Sequence, residues 1–199
     1  VSAEPFISTL ESLNVRVSEE GDFTVVLTDD YLQVGLDAFN QNALNSSQSW
    51  LLIKPVGAVI WIGPIFQPDK TGCWECLAHR LRINRQLESF VQQHKGISTP
   101  FPVSRSALPS TLQTGLNMAA TETVKWITGS KQQQLDGTII TLDLVNLTLH
   151  RHVLVRRPQC PRCGDANYLS PVKPQPLVLT SQKKLFTADG GHRSCPPEE

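Results

Sequence analysis

The stretch 70-KTGCWECLAHRLRINR-85 decides how the rest of the chain is read. Cys73 and Cys76 stand two residues apart at the start of a basic, amphipathic segment. Alone, such a pair fits a redox couple, half of a disulfide framework or half of a metal site. The choice is made further along, in 158-PQCPRCGD-165, where Cys160 and Cys163 repeat the spacing inside a knuckle-like turn. Two turns that each present two thiolates complete the tetrahedron that Zn²⁺ prefers. Thioredoxin-type chemistry needs one pair and leaves the other unexplained. A bridge within one pair closes too small a loop to stabilise much. Four thiolates also suit an iron–sulfur cluster, but separated pairs with no third cysteine nearby favour zinc. The pattern therefore assigns Cys73, Cys76, Cys160 and Cys163 to a closed structural zinc site. With four protein ligands no position is left for water, so the metal is not expected to be catalytic.

Energetics say why such a site would be there. Structural zinc contributes about 10 to 16 kcal/mol of apparent binding free energy in small peptides at neutral pH. Whole domains are stable by about 5 to 15 kcal/mol. A metal that pins a terminal hairpin to the start of a helix far upstream should hold that half of the chain together.

The composition bounds the remaining possibilities. At 199 residues and 40% hydrophobic content the chain can bury a proper core. Lys plus Arg and Asp plus Glu both number 18, whereas a binder of nucleic acid or of a membrane surface usually carries a clear basic excess. Nucleic-acid and membrane partners are thus not expected. No apolar run approaches the roughly 18 residues of a membrane span, and no signal peptide is visible. A soluble, cytoplasmic protein is expected. The chain opens at Val1 and ends in a proline-rich, charged SCPPEE, which suggests a piece of a longer polypeptide.

Outward from the first cysteine pair, FTVVLTDD at 23–30 has the pattern of a buried strand whose carboxyl end opens to solvent. Residues 31–44 place Leu32, Leu36, Phe39, Ala43 and Leu44 at helical spacing. WLLIKP and VGAVIWIGPIF read as paired or consecutive strands. The helix that starts at the first cysteine pair is predicted to run to about His94. Leu77, Leu81, Leu87, Phe90 and Val91 would point inward, and Arg80, Arg82, Arg85 and Lys95 outward. After a loop, Ser110 is expected to cap a helix over 111–128 with Leu112, Leu116, Ala119, Ala120, Thr123 and Ile127 inside, ended by Gly129. Residues 137–157 read as two strands joined near Asn146. This order is an α/β pattern, an open mixed sheet flanked by helices.

At this point the chain resembles a known family. A strand ending in LTDD, a helix with FNQ, strands running VGAVIWIGPIF, then GCWEC and CPRCG are similar to the second half of the ThiF/MoeB adenylating fold of ubiquitin-activating enzymes and their bacterial relatives. More specifically, GPIFQPDKTGCWECLAHRLRINR and the tail FTADGGHRSCPPEE resemble the central region of cyanobactin heterocyclases, where an adenylating-like domain precedes an ATP-dependent YcaO domain. The resemblance implies a zinc-binding scaffold over 1–168, a linker over 169–185 and the start of a YcaO domain over 186–199. It also implies an enzyme that uses ATP and Mg²⁺, held in the YcaO domain, to form thiazolines or oxazolines from Cys, Ser or Thr of a ribosomal precursor peptide. That peptide and the YcaO domain are the partners it implies; a homodimer is a further option that the sequence leaves open.

Carried over residue by residue, the four cysteines match the family's zinc ligands. Asp29 falls where active adenylating enzymes keep an acidic residue near the nucleotide, and Asn40 has a counterpart. The arginine that follows that aspartate is missing from DDYLQVGLD, and no GxGxxG phosphate loop occurs. Asp29 is therefore read as a strand-end carboxylate, and no catalytic or cofactor-binding residue is assigned. Part of an active adenylating enzyme is the alternative. Trp50, Trp61, Trp74 and Trp126 read as core or boundary aromatics, and His150 and His152, which share one strand face, as a solvated face in preference to a metal-binding pair. Arg151, Arg156, Arg157 and Arg162 form a basic patch around the second knuckle. It is read as a solvated or domain-facing surface, with an acidic peptide site as the alternative. Cys195 belongs to neither pair and is expected to be a free thiol.

Overall fold

A computed structural model describes residues 1–96, 106–132 and 134–165. The loop around residue 100, the linker, the YcaO start and Cys195 fall outside or mostly outside these residues. The described elements are α1 (Glu4–Ser12), β1 (Phe23–Leu27), α2 (Leu36–Asn45), β2 (Ser49–Lys54), β3 (Val59–Phe66), α3 (Trp74–Asn84), α4 (Gln86–Lys95), α5 (Pro109–Ile127), β4 (Thr138–Asp143) and β5 (Thr148–Val153).

The strands form one five-stranded sheet in the order β1-β2-β3-β4-β5. β1 and β2 run parallel and are joined by α2, as a parallel pair requires a crossover. The other neighbours are antiparallel, so the sheet is mixed, as the sequence predicts. Period-two alternation in β2 divides the core. Trp50 and Leu52 face a cluster with Tyr31, Leu36, Phe66, Trp74 and Leu77, whereas Leu51 and Ile53 face one with Phe6, Leu10, Ile60, Leu116 and Ala119. The α2/α3 side thus carries the first cysteine pair, and the α1/α5 side is its apolar counterweight. β5 is exposed at every position, which agrees with the reading of His150 and His152 as a solvated strand face.

Five expectations are corrected. The helix over 31–44 begins only at Leu36, because Tyr31 turns inward before it. The Tyr31 phenol donates to the main-chain carbonyls of Leu52 (3.0 Å) and Gly63, and burial pushes its pKa well above the ordinary value. The helix to His94 is two helices that meet at Arg85, whose ψ of 41° leaves the helical region. Beyond that break the predicted inner face turns outward, leaving Leu87 82% and Phe90 57% exposed and Val91 exposed too. Helix α5 starts with Pro109 in its first turn, and Thr111 rather than Ser110 serves its end, its hydroxyl accepting from the Leu108 amide (3.0 Å). Ile127 is exposed, while the rest of the predicted stripe is buried or half-buried and Gly129 (φ 64°) follows the helix end as expected. Finally, the strand at 23–30 ends at Leu27, and Asp30 is buried instead of open to solvent.

Candidate metal centre

The first knuckle is the entry to α3. Cys73 occupies the cap position, and the Cys76 amide donates to the Cys73 carbonyl (3.0 Å), so both thiols sit in the first turn of the helix. The dipole of that turn favours negative charge there. The second knuckle is closed by main-chain bonds from Gly164 to the Cys160 carbonyl (2.9 Å) and from Asp165 to the Pro158 carbonyl (2.8 Å). Gly164 has no room for a side chain, because a Cβ would overlap the Pro158 carbonyl and the Cys160 amide.

The fold brings the two knuckles together. All four sulfurs lie within 4.8 Å of one another, with Cys73 Sγ 3.7 Å from Cys160 Sγ and Cys76 Sγ 3.5 Å from Cys163 Sγ. A tetrahedral site with Zn–S bonds of about 2.3 Å has sulfur–sulfur edges of about 3.8 Å. Cys73, Cys76 and Cys160 are buried and Cys163 is half-buried. Among the described residues this is the group of three or more metal-ligating side chains that converges. The donor set and its spacing therefore fit a metal ion, and the closed arrangement fits a structural one.

The electrostatics point the same way. The neighbouring Cys73 thiol lowers the pKa of Cys76, and the Arg157 amide, donating to the Cys76 sulfur (3.4 Å), lowers it as well. The same proximity to Cys76, together with burial, pushes Cys73 up, and burial raises Cys163. Buried together, these sulfurs resist carrying several negative charges. A cation at the centre removes that penalty.

Side chains from elsewhere hold the knuckles in place. Asn40, buried on α2, accepts the Trp74 amide at the start of α3 (Oδ1, 3.0 Å), and Trp74 Nε1 donates to the Tyr31 carbonyl (2.8 Å). Arg162 donates from Nε and Nη2 to Asp37 (3.1 and 2.7 Å) and from Nη1 to Gln41 Oε1 (3.1 Å). Arg156 donates to the Cys163 carbonyl and from Nη1 to the Asp69 carbonyl (3.1 Å). The basic patch read from the sequence is thus partly used up: two of its four arginines bind the knuckle to the body of the domain.

Asp29 is half-buried at the end of β1. Its neighbour Asp30, which the sequence reading passed over, takes a bidentate pair from Arg85 (2.9 and 2.9 Å) and the Leu32 amide (3.0 Å). No local signal announces this pair, because Arg85 lies in register with outward-facing arginines and meets Asp30 only through the break between α3 and α4.

No family model matches the chain, and no curated protein does. Among solved structures, a heterocyclase in complex with substrate and cofactor is 46% identical, with a TM-score of 0.81, over 90% of this chain and 26% of that one. The chain resembles a heterocyclase segment. The heterocyclase TruD is 45% identical over 91% of this chain and 28% of its own, with a TM-score of 0.79. The chain therefore spans about a quarter of the length of the heterocyclases it matches. E. coli MccB, solved with ATP, is 19% identical over 74% of this chain and 40% of that one, with a TM-score of 0.55, and shares the fold alone. The ThiF/MoeB-like architecture expected from the sequence is thus that of a heterocyclase-like chain with a cluster of four cysteines able to hold a metal. No described helix is long and apolar enough to cross a membrane.

Proposed function

We propose that this chain is the zinc-binding, adenylating-like scaffold of an ATP-dependent peptide heterocyclase of the cyanobactin type. The observation that carries this reading is the 46% identity across 90% of the chain to a heterocyclase solved with substrate and cofactor. In the complete enzyme a Cys, Ser or Thr side chain of a precursor peptide attacks the preceding backbone carbonyl. ATP and Mg²⁺, held in a following YcaO domain, activate the former amide oxygen as leaving group, and a thiazoline or oxazoline results with net loss of water. The part assigned to this chain is mechanical. Cys73, Cys76, Cys160 and Cys163 hold zinc, and the zinc locks α3 to the end of the β4–β5 hairpin.

Three features support a non-catalytic role for these residues. Four thiolates leave the metal no open position. The sequence contains no GxGxxG motif of the kind whose convergent main-chain amides cradle phosphate. Asp30, at the carboxyl end of the parallel pair where an open α/β sheet would place a ligand, is already engaged by Arg85 and the Leu32 amide.

The competing reading, part of an adenylating enzyme, activates a free carboxyl terminus, and the two differ in what they need from the peptide. The complete polypeptide is incubated with ATP, Mg²⁺ and a cysteine-containing precursor whose carboxyl terminus is amidated. Loss of one water per internal cysteine, read by mass spectrometry, is expected. An unchanged amidated precursor, with ATP-dependent modification only of the same peptide bearing a free carboxyl terminus, overturns the scaffold reading.

A further inference from the structure

We propose that α2 braces the metal centre through Arg162, and that Asp37 and Gln41, by gripping that arginine, set how fast the metal leaves. The proposal rests on the reading of the four cysteines as a zinc site.

Arg162 lies between two ligands, Cys160 and Cys163, so a movement of its main chain moves both sulfurs. Its guanidinium makes three hydrogen bonds to α2, two to the Asp37 carboxylate and one to Gln41 Oε1. Asp37 and Gln41 are four residues apart and share one helix face, which matches the rigid fork of an arginine and would not suit a lysine equally. Helix α2 is a fixed reference because its other face is seated in the core by Leu36 and Ala43. The same helix also positions the first knuckle, since Asn40 Oδ1 takes the amide of Trp74, next to Cys73. One element therefore holds both halves of the site, and it does so without contributing a ligand.

The Arg162–Asp37 pair is partly exposed, so its share of overall stability is small. Its effect on metal exchange is larger for a geometric reason. Zinc leaves a closed four-sulfur site only after one ligand swings away, and the second knuckle, with the half-buried Cys163, is the exposed side from which that begins. Arg162 resists that opening.

The test uses the purified chain loaded with zinc and mixed with excess chromogenic chelator, so that the rate of zinc transfer is read directly. Arg162→Ala and Asp37→Ala are each expected to speed release about tenfold, the lower end of what residues supporting metal ligands contribute. The double variant should release no faster than the faster single, because the two bonds that Asp37→Ala removes are among the three that Arg162→Ala removes. Arg162→Lys should fall between Arg162→Ala and the unaltered protein, and thermal midpoints of the zinc-loaded variants should stay close to that of the unaltered chain. Release at the unaltered rate in both singles overturns the brace, as does a double variant whose effect is the product of the two singles. If the unaltered chain takes up no zinc, the metal reading itself fails and the brace fails with it.

Discussion

Asp30 and Arg85 meet through two parallel hydrogen bonds of 2.9 Å each, although 55 positions separate them in the chain. Arg85 marks the break where α3 stops and α4 starts, and Asp30 closes the turn that follows β1. Helix α3 is therefore fixed at both ends: its first turn carries Cys73 and Cys76, and its last residue is followed by the arginine that grips Asp30.

Removing Arg85 leaves a nearly buried carboxylate without its counter-charge. Losing one partner of a fully buried pair costs about 3 to 5 kcal/mol, and this pair is partly open, so Arg85→Ala should destabilise the chain by about 2 kcal/mol. Arg85→Lys should cost less, because one of the two bonds can be kept. Urea midpoints measure this, and a loss below about 0.5 kcal/mol in Arg85→Ala would show that solvent already screens the pair.

At Gly164 the turn after Cys163 folds so tightly that a Cβ meets the Pro158 carbonyl and the Cys160 amide, both of them main-chain atoms that cannot rotate away. Gly164→Ala should therefore open the second knuckle and lower metal content at purification to well under half of the unaltered value. Metal analysis of the two proteins side by side decides it. Equal content would mean that the turn relaxes without moving its sulfurs.

Nucleotide binding should be absent from the isolated chain. No GxGxxG phosphate loop occurs in the sequence, and the Asp30 carboxylate at the end of the parallel pair is held by Arg85. Titration with ATP and Mg²⁺ in a calorimeter should give no saturable heat. A saturable signal that disappears in Asp29→Ala would favour the adenylating alternative.

The sequence was most informative where chemistry is carried by residue type and spacing. The four cysteines, the mixed sheet, the hairpin turn and the end of α5 at Gly129 were legible because thiolate pairs, strand alternation and helix stops act locally. Local patterns could not show where a helix stops for a distant partner. Leu87 and Phe90 fit the apolar stripe of a continued α3, yet beyond the break at Arg85, whose side chain pairs with the distant Asp30, they face solvent. Composition shows the arginines of the basic patch only as charges: Arg156 and Arg162 are exposed, as a solvated surface would have them, and also donate to the Cys163 carbonyl, the Asp69 carbonyl and α2. Asp30 was passed over because its identical neighbour Asp29 matched a family position.

If the four sulfurs are metal ligands, each cysteine is required equally. Cys73→Ser and Cys160→Ser come from different knuckles, and each should leave an incomplete tetrahedron, with most of the metal lost and solubility sharply lower. Full metal retention in either variant would remove that cysteine from the ligand set.

Elemental analysis of the purified chain, combined with an assay for acid-labile sulfide, tests the central claim most directly. Four thiolates at tetrahedral spacing predict about one zinc per chain, no iron, no sulfide and a colourless protein. A coloured preparation containing iron and sulfide, or one purified under reducing conditions without any bound metal, would contradict the account.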